Sequence, residues 1–215
     1  MIKVAASILN CNFLRLGDEI KKVQKANVDL LHLDVMDGHF VPNLSFGIPI
    51  LKAIRPIVSV PIFSHLMVIK PETIIDQFIP DSDGVIFHIE ATDNPRLCLK
   101  LIKKAKKFSG IALNPDTALK TIEQYLDDVY EILIMSVYPG FGGQKFIRAT
   151  INKVKQAKAI IGDRDIRIAV DGGVNPRNAQ MLINAGADIL VAGTAIFKSD
   201  NYAQTIKMLK YGYSK

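Results

Sequence analysis

Eight short apolar runs, each separated from the next by a segment of helical pattern, constrain this chain more than any other feature. They fall near residues 3–8, 30–35, 62–66, 84–88, 111–114, 132–136, 168–171 and 189–193, and carry the β-branched and bulky side chains that suit a pleated surface. Between them, helical patterns cover Leu16–Ala26, Pro71–Phe78, Pro95–Lys107, Ala149–Ile161, Pro176–Ala185 and Tyr202–Lys210. Proline suits the first turn of several, and Gly186 supplies a glycine stop. A strand–helix unit of about 25 residues, recurring without a close sequence repeat, predicts parallel strands joined by crossover helices. Eight such strands close a barrel. With 215 residues and 49% hydrophobic content, the chain can bury roughly 70% of its unfolded surface. The expected fold is therefore α/β, a TIM (β/α)8 barrel, as a single domain over residues 1–215. An open doubly wound sheet is disfavoured because polar and glycine-rich clusters follow so many strands, and barrel sites collect at that end.

The polar residues at those strand ends form a pattern of their own. In His32-Leu33-Asp34-Val35 the period of a strand puts the imidazole and the carboxylate on one face. His65 stops the run Pro61-Ile62-Phe63-Ser64, and Asp171 stops Ile168-Ala169-Val170. Convergence of these three strands would assemble a cluster of two histidines and two aspartates. His88 also ends a strand, ahead of Ile89 and Glu90, and is assigned a structural or supporting role. Asp37-Gly38 and His39 are expected to organise the loop after the second strand.

Glycine clusters supply a second element. Pro139-Gly140-Phe141-Gly142-Gly143-Gln144 follows the sixth strand, Asp171-Gly172-Gly173-Val174-Asn175 the seventh, and Ala192-Gly193-Thr194-Ala195 the eighth. Glycine lets backbone N–H groups approach an anion, and late strand ends are where barrels often hold phosphate. No GxxxxGK[ST] loop is present, so a nucleoside triphosphate is not the expected ligand.

Composition narrows the remaining classes. Cys11 and Cys98 are too few and too isolated for a disulfide framework or a CxxC metal site, which predicts a reduced, cytoplasmic protein. The apolar N-terminus lacks a basic leader and reads as a strand, not a signal peptide. No apolar run approaches the roughly 18 residues of a membrane helix. The net charge of +6 is spread over helix faces such as Lys103-Lys104-Ala105-Lys106-Lys107, without any nucleic-acid motif. That field favours an anionic substrate by steering.

Taken together, His32 to Asn43, His65-Leu66-Met67-Val68, Met135 to Phe146 and Val170 to Asn175 resemble the ribulose-phosphate 3-epimerase family. The resemblance runs from Ser7 to Phe197. It implies a TIM barrel that interconverts D-ribulose 5-phosphate and D-xylulose 5-phosphate with one divalent metal ion per subunit, in the pentose phosphate pathway. By motif it implies metal ligands His32, Asp34, His65 and Asp171, and a catalytic pair Asp34 and Asp171. It further implies substrate contacts at Ser7, His65, Gly140, Phe141, Gly142, Gly143, Asp171, Gly172, Gly173, Gly193 and Thr194. Met36, Met67 and Met135 are implied to line the site. The expected partner is a small phosphorylated ketose, with no nucleic acid and no membrane, in a homo-oligomer. Ala6, Tyr138 and Phe63-Ser64 depart from the family's common residues without removing a ligand or an acid.

The chemistry agrees with that residue set. A proton on carbon beside a ketone is too weakly acidic for a carboxylate alone, so a metal-stabilised enediolate is required. Inversion needs protonation from the opposite face, which two carboxylates provide. Mixed imidazole and carboxylate ligands suit Zn²⁺, Fe²⁺, Mn²⁺ or Co²⁺ better than Mg²⁺. Two alternatives stand beside this reading: a C3 epimerase of a hexulose phosphate such as allulose 6-phosphate, and a non-catalytic sugar-phosphate-binding barrel.

Overall fold

The computed structural model describes residues 1–212. Strands β1 (Lys3–Ser7), β2 (Leu30–Met36), β3 (Ile62–Met67), β4 (Gly84–His88), β5 (Phe108–Leu113), β6 (Glu131–Met135), β7 (Arg167–Asp171) and β8 (Ile189–Ala192) form one closed parallel barrel in chain order. The helices around it are α1 (Leu16–Lys25), α2 (Ile48–Ile54), α3 (Ile75–Phe78), α4 (Pro95–Lys104), α5 (Thr150–Ile161), α6 (Pro176–Ala185), α7 (Thr194–Phe197) and α8 (Tyr202–Tyr211). This is the TIM barrel that the run of eight apolar segments predicts. No helix among the described residues is long and apolar enough to cross a membrane.

Side-chain parity divides the interior into two cores. Outward-facing Leu31, Leu33, Leu66, Phe87, Ile111, Ile134 and Val170 pack with helix residues such as Ile20, Val23, Ile102, Val154 and Leu182. Inward-facing Ala5, Leu30, Phe63, Ile86, Ala112, Leu133, Ala169 and Ile189 fill the barrel. Two glycines make that filling possible. A Cβ at Gly84 would stand 2.8 Å from the Phe63 ring, and one at Gly110 would stand 2.7 Å from Ile86 Cγ1. Bulk on one strand is thus accommodated by its absence on the next.

The N-terminal rim is fastened by a repeated device. Asp29, Asp83 and Asp188, each just ahead of a strand, accept an N–H from the first or second residue of the preceding neighbour in the sheet. The bonds run from Val4 at 2.7 Å, Ile62 at 2.8 Å and Ile168 at 2.9 Å. Lys210 and Arg55 then pair with Asp29 and Asp83 at 2.7 Å each. Otherwise-orphaned donors at the strand starts are satisfied in this way.

Four local features differ from the pattern read in the sequence. The helix expected over Pro71–Phe78 is split into a 3₁₀ turn, Pro71–Thr73, and α3, because Ile74 leaves helical geometry at φ −130°. A run of β-branched residues, Thr73-Ile74-Ile75, weakens helix at that point. The helix expected to reach Lys107 stops at Lys104, where Lys106 turns left-handed at φ 58°. Its N–H reaches Lys103 O at 2.9 Å while that of Lys107 reaches Ile102 O at 3.2 Å, a helix stop usually marked by glycine. A short α2 is added after Gly47. Between β5 and β6 the chain forms 3₁₀ turns over Leu119–Asp128, burying Leu119, Ile122 and Tyr125 at the threefold spacing of that helix.

Candidate active site

Register brings the polar residues together. In the β2–β3 ladder Asp34 pairs with His65 and Met36 with Met67; in the β1–β2 ladder Ser7 pairs with His32. Asp171 ends β7 opposite Met135 of β6. All of these point inward at the C-terminal end of the barrel. Ligand atoms of His32, Asp34, His65 and Asp171 lie within 4.8 Å of one another. The four-residue convergence anticipated from the strand ends is present.

Geometry inside the cluster is close. His32 Nε2 stands 3.2 Å from Asp34 Oδ1 and 3.6 Å from Asp171 Oδ2. It is buried and has no hydrogen-bond partner. His65 Nδ1 lies 3.0 Å from Asp34 Oδ1 and 3.9 Å from Asp171 Oδ2. Ser7 Oγ donates to Asp34 Oδ2 at 2.6 Å, and Ser45 Oγ donates to the Asp34 carbonyl at the same distance.

These contacts drive the proton affinities apart. Burial opposes a charged Asp34, but His32 and His65 overcome it and hold the carboxyl far below its usual range. Burial and the charge of Asp34 push Asp171 up to about 7. Burial also opposes a charged His32, yet Asp34 and Asp171 raise it to about 9. His65, desolvated and facing two other imidazoles, falls to about 3. Two carboxylates with separated affinities in one cleft are the arrangement that acid–base exchange requires.

Above the cluster opens a cavity of about 260 Å³. Ser7, Asp34, Asp171, Met36, Met67 and Met135 border it, together with Gly140, Phe141, Gly142, Gly143, Gly172, Gly173, Gly193 and Thr194. His32 and His65 are buried beneath it and are not among its lining residues. Among the described residues, Asp34 and Asp171 are the only charged side chains that line it, and no lysine or arginine does. Met36 and Met67 pack with Val41, Leu9 and Phe40 into a small apolar roof.

The loops around the mouth are cross-tied. Asn43 donates to Gly140 O at 2.7 Å, and Gln144 donates to Tyr138 O at 2.6 Å and Phe141 O at 2.9 Å. Asp37 accepts from His39 and Phe40 through one oxygen and from Ile69 through the other, joining the loops after β2 and β3. His39 remains exposed, as its loop role implies. Gly172 and Gly173 are demanded by packing and by left-handed backbone at φ 115° and 63°. A Cβ at Gly172 would meet Val137 Cγ2 at 2.5 Å, and one at Gly173 would meet Gln144 O at 2.7 Å. Asn10 was not singled out by motif, yet it lines the cavity with Oδ1 3.3 Å from a Cβ placed at Gly193. Its position just past β1, opposite the eighth strand's loop, is the signal that marks it.

Comparison with known proteins agrees with this architecture. The family model described as "Ribulose-phosphate 3 epimerase family" matches residues 3–197. The chain is 42% identical over 214 residues to the ribulose-phosphate 3-epimerase of Bacillus subtilis (strain 168), covering 98% of this chain and 99% of that one. It is 44% identical over 212 residues to the enzyme of the same name from Methanocaldococcus jannaschii, covering 98% and 90%. A solved structure described as KGPDC from Streptococcus mutans superposes with TM-score 0.75 at 15% identity, covering 98% and 96%, which reflects the shared barrel. A cluster of two histidines and two aspartates below a glycine-rimmed cavity, with near full-length likeness to named epimerases, places this chain in the ribulose-phosphate 3-epimerase family, and so among the isomerases.

Proposed function

We propose that this protein epimerises C3 of a pentulose 5-phosphate, interconverting D-ribulose 5-phosphate and D-xylulose 5-phosphate, with Asp34 and Asp171 as the proton-transfer pair. The observation that carries the reading is the approach of these two carboxylates to one cavity from β2 and β7, above two buried imidazoles. Both carboxylates reach the cavity, one from β2 and one from β7, so one is placed to remove a proton while the other returns one. In the reverse direction the two exchange roles.

The donor set fits a divalent cation. His32 Nε2 is a buried nitrogen without a partner, aimed between two carboxylates. An anionic substrate entering a cavity whose only lining charges are aspartates also calls for positive charge nearby. His32, Asp34, His65 and Asp171 would hold the cation, and their mixed nitrogen and oxygen donors suit Zn²⁺, Fe²⁺, Mn²⁺ or Co²⁺. Bound there, it supplies electrophilic stabilisation of the negative charge that develops on the substrate oxygens.

The chain's own residues do the rest. Ser7 fixes Asp34 through its hydroxyl, leaving that carboxylate one orientation toward the cavity. Met36, Met67 and Met135 give the reacting carbon an apolar, polarizable wall with no competing proton donor. The phosphate is assigned to the backbone around Gly143, Gly173 and Gly193, with the Thr194 hydroxyl.

The test is time-resolved formation of xylulose 5-phosphate from ribulose 5-phosphate by protein reconstituted with each divalent ion, with allulose 6-phosphate assayed in parallel. Turnover of the pentulose is expected. Faster turnover of the hexulose would reassign the substrate, and no turnover of either with any ion would overturn the reading.

A further inference from the structure

The cluster does not end at His65. Its second nitrogen, Nε2, lies 2.9 Å from Nε2 of His88, with the two rings stacked at 5.0 Å and inclined by 25°. Nδ1 of His88 lies 3.1 Å from Glu90 Oε2. The other oxygen of Glu90 accepts the backbone N–H of Asn114 at 2.7 Å and the hydroxyl of Thr117. Lys153, reaching in from α5, donates to the carbonyls of Asn114 at 2.5 Å and Pro115 at 3.3 Å, which pins the loop carrying those donors. Phe40 covers the His88 ring at 4.8 Å, and both imidazoles are fully buried.

We propose that Glu90, acting through His88, fixes the tautomer and orientation of His65 so that its Nδ1 presents a lone pair to the divalent cation. This rests on the metal reading above and makes His88 and Glu90 positioning residues for the ligand. The argument is an accounting of protons along the string. A carboxylate that already receives the Asn114 and Thr117 donors can only accept, so Nδ1 of His88 carries a hydrogen. With a hydrogen on Nδ1, His88 can turn a lone pair at Nε2 toward His65. A hydrogen on Nε2 of His65 then completes the 2.9 Å contact.

The remaining nitrogen of His65 is left bare. It faces Asp34 Oδ1 at 3.0 Å, an acceptor against an acceptor, which is repulsive unless a cation lies beside them. Reversing every hydrogen in the string would put two acceptors together at Glu90 instead, where two other donors already favour the charged carboxylate. Outer partners of this kind set the direction and basicity of a ligating imidazole.

The experiment measures Co²⁺ affinity by chelator competition, and the visible spectrum of the Co²⁺-loaded protein, for wild type, His65→Ala, His88→Phe, His88→Gln and Glu90→Gln. Circular dichroism accompanies each. His88→Phe keeps a ring between His65 and Phe40 but removes the acceptor. It is expected to weaken Co²⁺ binding roughly 10- to 100-fold and shift the spectrum. Glu90→Gln, which leaves both rings in place, is expected to move both readouts in the same direction. His88→Gln, whose amide oxygen can accept from His65, should recover part of the lost affinity. Wild-type affinity and spectrum in folded Glu90→Gln and His88→Phe would overturn the relay; if His88→Phe does not fold, Glu90→Gln decides alone. Full affinity in His65→Ala would instead overturn the metal assignment, so the two failures are distinguishable.

Discussion

Asp34 and Asp171 meet the same buried imidazole, His32, at 3.2 Å and 3.6 Å, yet the first is held ionised and the second is pushed toward its protonated form. One nitrogen thus stands between two acids of unequal proton affinity. The inequality arises chiefly from His32, whose attraction overcomes the burial of Asp34, whereas at Asp171 burial and the charge of Asp34 outweigh its pull.

Turnover in heavy water should therefore place deuterium at the inverted carbon of the product, because both side-chain acids exchange with solvent. Asp171→Asn is expected to lower epimerisation by about 10²- to 10⁴-fold. Metal content must be measured in the same preparation, since the residue is also an assigned ligand. An Asp171→Asn protein with full metal and near wild-type epimerisation would exclude it as an essential acid or base.

The glycine rim predicts a binding defect separable from chemistry. In Gly193→Ala the new methyl would stand 3.0 Å from Ser7 O, and in Gly143→Ala the backbone would be strained at φ 76°. Both variants should raise the KM for the phosphorylated substrate and weaken competition by inorganic phosphate, with metal content preserved. Circular dichroism separates loop misfolding from obstruction. Normal phosphate competition in both folded variants would move the anion elsewhere.

Glu131 offers a pH test away from the cavity. It faces inward at the foot of β6, is 2% exposed, and Oε2 has no partner. Burial pushes its carboxyl from 4.5 up to about 7, against the pull of His32 and Lys3. The folded protein thus holds this proton more tightly than the unfolded chain. Its stabilising contribution is complete below pH 4.5 and is lost as pH rises through about 7. Glu131→Gln should remove that slope, the gap between variant and wild type changing by on the order of 3 kcal/mol across the window. Urea unfolding at several pH values, with a chelator present in both, measures it; parallel curves would contradict the assignment.

The aspartates at the strand starts should matter to folding alone. Asp83→Ala frees the N–H of Ile62 and the guanidinium of Arg55, and a loss of about 1–3 kcal/mol is expected. Kinetic constants should hold, because the pair sits at the end of the barrel away from the cavity. A drop in kcat at unchanged metal content would show that the two ends communicate.

Much of this was legible in the chain. A strand's twofold period alone puts His32 and Asp34 on one face, and the glycine clusters at residues 139–144, 171–175 and 192–195 do border the cavity. Less visible was what depends on register and on neighbours far along the chain. Asp34 touches His65 because β2 and β3 pair with those two residues level, which no local pattern states. His88 and Glu90 stand two apart at the end of β4, the same signal as His32 and Asp34, yet their role appears only when His65 is seen to turn its other nitrogen toward them. The helix stop at Lys106 was hidden because lysine occupies a left-handed position that glycine normally announces.

The absence of lysine and arginine from the cavity wall, among the described residues, separates capture from retention. The chain's basic charge belongs to outer helices such as α4 and α5. At a distance their field draws an anion in, and dissolved salt shortens its reach. In the proposed reading, the seated anion is held by neutral N–H dipoles at close range, which are little affected by ionic strength. Added salt should therefore slow arrival while leaving the dwell time of the bound sugar phosphate nearly constant. A reversible reaction whose substrate and product carry the same phosphate can thus release either one with equal ease.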